Sequence, residues 1–226
     1  MLGRLADGLA RRVVVPRRTL RLPERPVKVN LGSGLHVAEG WVHVDGNIHA
    51  LFAGAPEAML RRLYRSSNTV RWLGEDEYVR RLRAYRFVHH DLERPLPFAD
   101  DSVDFVYSSH VVEHFYRAAA ERLLAEVRRV LRPGGCVRIC VPDLAHALAL
   151  YRAGEREAAL EYFFAPPGAG YFRQHRYMYD FDLMRRLLEG AGLRDVQRRA
   201  YREGRVPDLE QLDNRPEETL YVEALK

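Results

Sequence analysis

The sequence predicts an α/β protein whose doubly wound, mainly parallel sheet is covered by helices on both faces. Short apolar runs alternate with amphipathic helical patterns along most of the 226 residues, and this order of elements builds parallel sheets. Several runs lead directly into a glycine or an aspartate, as strands do at the ligand-binding edge of such a sheet. The hydrophobic content of 47% is enough for one domain with a full core.

Seven segments have the length and the flanking residues of strands. Five precede residue 145, and two strand-like stretches close the chain. They cover residues 27–31, 41–45, 87–91, 103–107, 136–141, 196–201 and 219–224.

Helical patterns fill the intervals between these strands. The clearest spans 120–131, where apolar residues recur at spacings of three and four, and another spans 182–189. The interval 47–85 is helical, basic and longer than an ordinary connection, so we predict a helical cap inserted at the ligand-binding edge. Its arginines would favour an anionic acceptor, with Arg71 among the acceptor-binding residues. They are Arg61, Arg62, Arg65 and Arg71.

Residues 1–26 form an arginine- and proline-rich extension before the main domain, 27–226. We interpret it as a short helix over 2–12 that packs on the domain or mediates a homodimer. Arg11 and Arg12 interrupt its apolar stretch, and no run approaches the ~18 residues that suggest a membrane span. We therefore expect a cytoplasmic protein with no signal peptide and no membrane span.

The charge of the chain bears on its binding partner, and the cysteines bear on the redox state of its thiols. Lys28 and Lys226 are the only lysines, so the net charge of +5 comes from arginines, many of them beside acidic residues. This scatter disfavours nucleic-acid binding and leaves an acidic or phosphorylated acceptor open. Cys136 and Cys140 lie on one face of a predicted strand without a CxxC pattern, so we expect buried, reduced thiols.

A candidate ligand site lies at the ends of the first three strands. Gly32-Ser33-Gly34 follows the first strand and allows a close approach to the backbone. A dinucleotide fingerprint would need glycine where Val37 stands, so NAD is disfavoured. Asp45 ends the second strand, where a carboxylate can accept both hydroxyls of a ribose. Asp91 follows the third strand and could accept an adenine amino group. Either acid could instead cap a turn.

These residues, with the motifs that follow them, resemble the class I, Rossmann-like S-adenosylmethionine-dependent methyltransferases, particularly the small-molecule and glycan-associated group. The resemblance implies a seven-stranded sheet whose last pair includes an antiparallel strand. It also implies methyl transfer from S-adenosylmethionine to a small acceptor (a sugar, a nucleotide-sugar or a secondary metabolite), with O-methylation favoured. The matching stretches are 29–34, 41–45, 91–98, 101–110 and 124–135.

The resemblance also implies which residues hold the cofactor. The glycine loop would run close to the methionine part, and Asp45 would hold the ribose. Asp91 with the Leu92 backbone would bind the adenine, and Ser108 would lie beside the sulfonium. Asn30 stands where the family usually has an acid, and it would meet the methionine amino group through its carbonyl oxygen. His36 stands where a third glycine is usual. The full set is Asn30, Gly32, Ser33, Gly34, Asp45, Asp91, Leu92 and Ser108.

Histidines and tyrosines mark the expected acceptor side. His110 and His114 are four apart, which at the start of a helix would place both on one face. Either could act as a general base near neutral pH, or His114 could support the cofactor structurally. His175, Tyr177 and Tyr179 precede a late helix and are expected to line the acceptor pocket, although aromatic packing explains the tyrosines almost as well.

The stretch 110–114 also matches H-x-x-E-H, an inverted zinc-hydrolase motif with Glu113 as base. It directly follows a parallel strand, and no later acid stands out as a third ligand, so we predict no metal.

Two further functions are compatible with the same pattern, because a fold alone does not determine chemistry. One is an enzyme that uses S-adenosylmethionine for a different outcome, such as a cyclisation. The second is a non-catalytic module that binds a nucleotide and a protein partner.

Overall fold

A computed structural model of the chain describes residue 20 and residues 24–164 and 174–226. The predicted helix over 2–12 and most of the N-terminal extension lie outside these described residues. Within them, no helix is both long enough and apolar enough to cross a membrane.

The chain alternates strands and helices in the predicted order. The strands are β1 (Lys28–Leu31), β2 (Trp41–Asp45), β3 (Arg86–His89), β4 (Val103–Ser109), β5 (Leu131–Pro142), β6 (Arg194–Arg199) and β7 (Thr219–Leu225). The α-helices are α1 (Ile48–Leu51), α2 (Glu57–Arg65), α3 (Glu75–Ala84), α4 (Arg117–Val130), α5 (Leu144–Ala153), α6 (Arg156–Glu161), α7 (Phe181–Gly190) and α8 (Leu209–Leu212). Two 3-10 turns cover Asn68–Arg71 and Val112–His114.

The strands form one sheet in the order β3-β2-β1-β4-β5-β7-β6. The strands β1 to β5 pair in parallel, whereas β7 runs antiparallel to both β5 and β6. This confirms the predicted doubly wound sheet with an antiparallel strand in its last pair. The strand order reverses between β1 and β4, where Leu31 pairs with Ser108, and ligands of such sheets bind at this switch point.

Alternate residues of the central strands supply two separate cores, because side chains of a strand point to opposite faces. Val106 and Val137 face a core that includes α4 and α7. Tyr107 and Cys140 face a second core with Trp41 and the C-terminal segment around α8. Cys136 lies in the second core as well, and both cysteines are buried and free, as predicted.

The connection between β1 and β2 contains no helix. Residues 32–40 form a loop of turns, although parallel neighbours usually need a longer crossover. Leu35 of this loop packs instead on a third cluster with Leu60 of α2 and with Tyr78 and Leu82 of α3. The helical interval that follows β2 therefore packs on the chain just beyond the glycine loop.

A buried ion-pair network joins the C-terminal part of the chain to β5. The side chain of Arg138 is fully buried, and its Nη2 donates to Asp213 Oδ2 at 2.6 Å. Its Nη1 lies 3.3 Å from Glu223 Oε1 on β7. Nη1 also donates to the Glu203 carbonyl, and Nη2 donates to the Ala200 carbonyl. Both carboxylates are fully buried, so the charges depend on one another for compensation.

We expect Arg138→Met to reduce the free energy of unfolding by about 3–5 kcal/mol, since it leaves two buried carboxylates without their cation. Urea denaturation monitored by circular dichroism measures the change. Arg185→Met is the matched control, because Arg185 pairs with Asp182 on the surface of α7, and should change stability by no more than about 0.5 kcal/mol. Equal losses in the two variants would contradict the central role of Arg138.

Candidate functional site

The glycine loop is folded back onto the acid that ends β2. Gly32 and Gly34 both adopt positive φ, at 67° and 54°, a region that favours glycine. The Gly34 amide donates to Asp45 Oδ2 at 2.7 Å, and the Asn47 amide donates to Asp45 Oδ1 at 2.9 Å. The carboxylate is therefore held in one orientation by two backbone amides.

The loop after β3 lies against the same edge. The His90 amide donates to the carbonyl of Asp45 at 3.0 Å, and a Cβ on Gly46 would lie 3.7 Å from the Asp91 Cα. Asp91 is half-buried, and its Oδ1 accepts from the Glu93 amide at 3.1 Å. Leu92 is buried. The structure thus brings together the two strand-end acids that the sequence singled out.

Asn30 is buried on β1 and is held by two contacts of its amide nitrogen. Nδ2 donates to the His36 carbonyl at 3.1 Å and lies 3.5 Å from His43 Nδ1. Burial lowers the pKa of His43 to about 4, so this histidine is neutral at pH 7 and can accept the contact. Because Nδ2 is used within the protein, the Asn30 amide can turn only its carbonyl oxygen toward a ligand.

Two buried hydroxyls at the switch point lack a hydrogen-bond partner among the described residues. They belong to Ser33 in the glycine loop and Ser108 at the end of β4. A Cβ built on Gly34 would meet nothing within 4 Å, so the loop has open space beside it. Buried polar groups are normally satisfied. The orphaned hydroxyls, the open loop and the fixed carboxylate therefore fit a polar ligand such as S-adenosylmethionine.

The expectation that His110 and His114 share one face of a helix is wrong. His110 follows β4 with a φ of 54°, His114 ends the 3-10 turn, and α4 begins only at Arg117. The two histidines nevertheless meet at one group. His110 Nδ1 lies 3.4 Å, and His114 Nε2 3.7 Å, from Oε1 of Glu113.

Glu113 is the least exposed charged residue of this region, with a side chain that is 0% exposed. Neither carboxylate oxygen makes a hydrogen bond to another described residue. Burial raises the pKa of Glu113, but His110 and His114 outweigh that effect and leave the pKa lowered. Burial also lowers the pKa of His114 more than Glu113 raises it. We infer an ionised carboxylate beside a neutral imidazole. The sequence had indicated Glu113 only as the base of the zinc-hydrolase motif.

The three remaining acceptor-side residues lie in different surroundings. His175 stacks near His114, with ring centroids 5.2 Å apart, and so joins the histidine cluster. Tyr177 is half-buried and accepts from Arg117 Nη1 at 3.2 Å. Tyr179 is buried in the main core, so aromatic packing accounts for it.

The 3-10 turn Asn68–Arg71 brings the helical interval next to the glycine loop. Trp72 stacks on His36 with centroids 6.2 Å apart. Arg71 is exposed beside it and makes no ion pair with another residue that the structure describes. By contrast, Arg61 pairs with Glu57 and Asp76, and Arg65 pairs with Glu75, so these two charges are compensated within the interval.

A cavity of about 450 Å³ opens beyond the carboxyl end of β5 rather than over the glycine loop. The ends of β5 and β6 and the start of β7 line it, and Thr219 belongs to its wall. The Thr219 hydroxyl also contacts His110 Nε2 at 3.2 Å, so the cavity borders the cluster. Sequence reasoning did not find Thr219, because it lies 109 residues from its partner.

The parallel strands, the glycine loop and the two strand-end acids define a doubly wound, Rossmann-like fold with a candidate ligand site at its switch point. The fold is similar to that of a SAM-dependent methyltransferase from Thermotoga maritima, with a TM-score of 0.51 and 15% identity over 98% of this chain and 88% of that one. A methyltransferase from Archaeoglobus fulgidus also gives a TM-score of 0.51 and 15% identity, over 90% of this chain and 87% of that one. At such identities the likeness shows the fold alone.

Residues 53–139 match the family of methyltransferase domains. Two proteins described as uncharacterized methyltransferases align over 82 residues, or 35% of this chain. They are 42% identical in Mycobacterium marinum and 40% identical in Mycobacterium tuberculosis. The alignments span about 29–30% of the length of these relatives. These matches show that residues 53–139 are similar to methyltransferase domains, and the chain as a whole has a Rossmann-like fold.

The glycine loop gives a matched pair of stability variants. A Cβ on Gly32 would overlap the Cγ2 of Val111, whereas one on Gly34 meets nothing. In both Gly32→Ala and Gly34→Ala, the positive φ should lower the free energy of unfolding by about 1–2 kcal/mol. In Gly32→Ala, overpacking against Val111 should lower it by a further ~1–3 kcal/mol. Urea denaturation of both variants measures the difference. Equal losses would contradict the close contact between the glycine loop and Val111.

Proposed function

We propose that this chain transfers a methyl group from S-adenosylmethionine to a hydroxyl of a small polar acceptor. The single observation that carries the proposal is the meeting of the glycine loop and Asp45 with a buried carboxylate–histidine cluster across the β1–β4 switch point. The acceptor would be a sugar, a nucleotide-sugar or a secondary metabolite. We also propose that residues 27–226 form the catalytic domain and that the helical interval 47–85 caps its acceptor side.

Each strand end would hold one part of the cofactor. Asp45, fixed by two backbone amides, would accept the ribose hydroxyls, and Asp91 with the Leu92 backbone would meet the adenine. Asn30, the glycine loop and Ser108 would contact the methionine part and the sulfonium. When bound, S-adenosylmethionine supplies a methyl group already activated by the sulfonium, so the protein's main task is alignment.

His114 is better suited than His110 to take the acceptor proton. Its Nδ1 faces the carbonyl of Gln174 at 3.1 Å, which places the proton on Nδ1 and leaves the lone pair on Nε2. His110 has closer partners at both ring nitrogens, Glu113 at 3.4 Å and Thr219 at 3.2 Å, whereas His114 Nε2 is 3.7 Å from Glu113. As the acceptor oxygen bonds to the methyl carbon and the carbon–sulfur bond breaks, the hydroxyl proton would pass to His114 Nε2.

The cavity beside Thr219 would admit the acceptor, because it opens at the same strand ends and borders His110. Arg71 is the cap residue that would contact an anionic part of the acceptor, since Arg61 and Arg65 are already paired within the cap. His175 and Tyr177 would line the side of the pocket opposite the cap.

We expect the purified chain to bind S-adenosylmethionine and S-adenosylhomocysteine but not NAD. Asp45→Ala should weaken the binding of S-adenosylhomocysteine by about 1–3 kcal/mol, because buried polar partners are left unpaired. Isothermal titration calorimetry measures this. Asp182→Ala, at the exposed start of α7, should leave the affinity unchanged. An unchanged affinity in Asp45→Ala would remove this carboxylate from the site.

His114→Asn should slow turnover about 10²–10⁴-fold, the range for a lost general base, with cofactor affinity kept. The base must be neutral, so turnover should fall as pH drops through the pKa of His114. Because that pKa is lowered from 6.5, turnover should stay flat through neutral pH and decline only in more acidic solution. Mass spectrometry with a methyl-labelled cofactor gives the rates. Parent-like turnover in His114→Asn and His110→Asn would show that both histidines are structural.

A further inference from the structure

Three Lewis-basic side chains converge between the loop after β4 and the segment before α7. One ligand atom from each of Glu113, His114 and His175 lies within 4.8 Å of the others. Glu113 is fully buried, and its carboxylate oxygens have no hydrogen-bond partner among the described residues. A buried carboxylate is costly without a compensating group, so this cluster calls for an explanation.

The outer contacts of the two histidines fix which ring nitrogen faces the cluster. His114 Nδ1 faces the Gln174 carbonyl at 3.1 Å, and His175 Nδ1 makes a close contact with the Tyr162 carbonyl. A carbonyl can only accept, so each Nδ1 carries a proton, and in the neutral imidazole the lone pair is on Nε2. Histidine ligands of metals are commonly oriented in this way, by donating their other ring N–H to a backbone carbonyl.

His114 Nε2 is 3.7 Å from Glu113 Oε1. The negative charge of this carboxylate is compensated if the imidazole takes up a second proton or if a metal cation binds between the two atoms. Tetrahedral zinc with bonds of about 2.0–2.1 Å separates its ligands by roughly 3.4 Å. The His114–Glu113 distance is close to that value, whereas the three ligand atoms together lie within 4.8 Å of one another, so the side chains would have to move closer to bind the ion.

We propose that Glu113, His114 and His175 bind one divalent transition-metal ion, with Zn²⁺ as the representative ion. Two imidazoles and one carboxylate form a ligand set that leaves an open coordination position. His110 would steady the carboxylate from outside, since its Nδ1 is 3.4 Å from Glu113 Oε1. This set differs from that of the zinc-hydrolase motif, which would use His110 and His114 as ligands on a helix that the structure does not form.

Binding of the ion does not depend on the proposed methyl transfer, whereas its role there does. At its open position the ion would hold the acceptor oxygen and favour loss of the hydroxyl proton. His114 would then act as a ligand rather than as a free base. The loss of turnover expected for His114→Asn would in that case accompany loss of the metal.

The test uses the full chain, stripped of metal with a chelator and titrated with Zn²⁺ by calorimetry. We expect one Zn²⁺ per chain and a rise in Tm on loading, because the ion binds the folded state. Glu113→Gln and His175→Ala should each weaken binding by at least about 10–100-fold, the loss that follows even when only a group supporting a ligand is removed. His175 is only half-buried, so His175→Ala should still fold if the buried Glu113→Gln does not.

His146→Ala is the matched control, because His146 also contacts Tyr162, with ring centroids 5.8 Å apart, but lies outside the cluster. It should bind Zn²⁺ like the parent. The proposal is overturned if the parent binds no Zn²⁺, if His175→Ala binds it with parent affinity, or if His146→Ala loses it too. Titration of the same proteins with S-adenosylhomocysteine tests the proposed function separately. Zinc binding without cofactor binding would refute methyl transfer and leave the metal site standing.

Discussion

The positive charge of Arg138 is buried in the middle of the sheet, and the fold of the C-terminal part follows from how it is compensated. Asp213 meets it through both carboxylate oxygens, and Glu223 meets it from β7. The two acids also accept backbone amides, Arg202 for Asp213 and Arg205 for Glu223. One guanidinium therefore holds three elements together: the turn after β6, the end of α8 and the last strand. If one of these elements moved away, a buried charge would be left unpaired.

The same network extends to the candidate site through β7. With Glu223 fixed, β7 keeps its antiparallel register on β5, in which Thr219 pairs with Pro142 at the carboxyl end of β5. From there its hydroxyl reaches His110 Nε2. His110 in turn approaches Glu113, the centre of the histidine cluster. The contact on the acceptor side is therefore supported by the antiparallel strand. The glycine loop and its acids follow the parallel strands β1 to β3, with a contact from the C-terminal segment, between Asn214 Nδ2 and His36 Nδ1 at 3.1 Å.

This division explains what the sequence could predict. Strands β1 to β5 and the strand-end acids leave local signals, because apolar runs and their flanking residues are close in the chain. The relation of His110 to His114 was misjudged because spacing alone does not show that a helix starts late, at Arg117. Arg138 gave no signal, since its acids lie 75 and 85 residues away. The sequence predicted His175 on the acceptor side, but it gave no sign that this residue converges with Glu113 and His114, since the zinc-hydrolase motif directs attention to an acid as the third ligand.

The amides of the glycine loop show what kind of ligand the switch point favours. Phosphate sites in related sheets offer free backbone N–H groups at the start of a helix. Here no helix follows β1, and the N–H groups of Gly32, Gly34 and His36 donate to Val44, Asp45 and Ser33. A loop that uses three of its N–H groups internally, and which presents a fixed carboxylate, is poorly matched to a pyrophosphate. It is better matched to a ligand that brings hydroxyls, an ammonium group and a sulfonium charge. The hydrogen bonding of the loop thus favours S-adenosylmethionine over NAD independently of any single glycine in the motif.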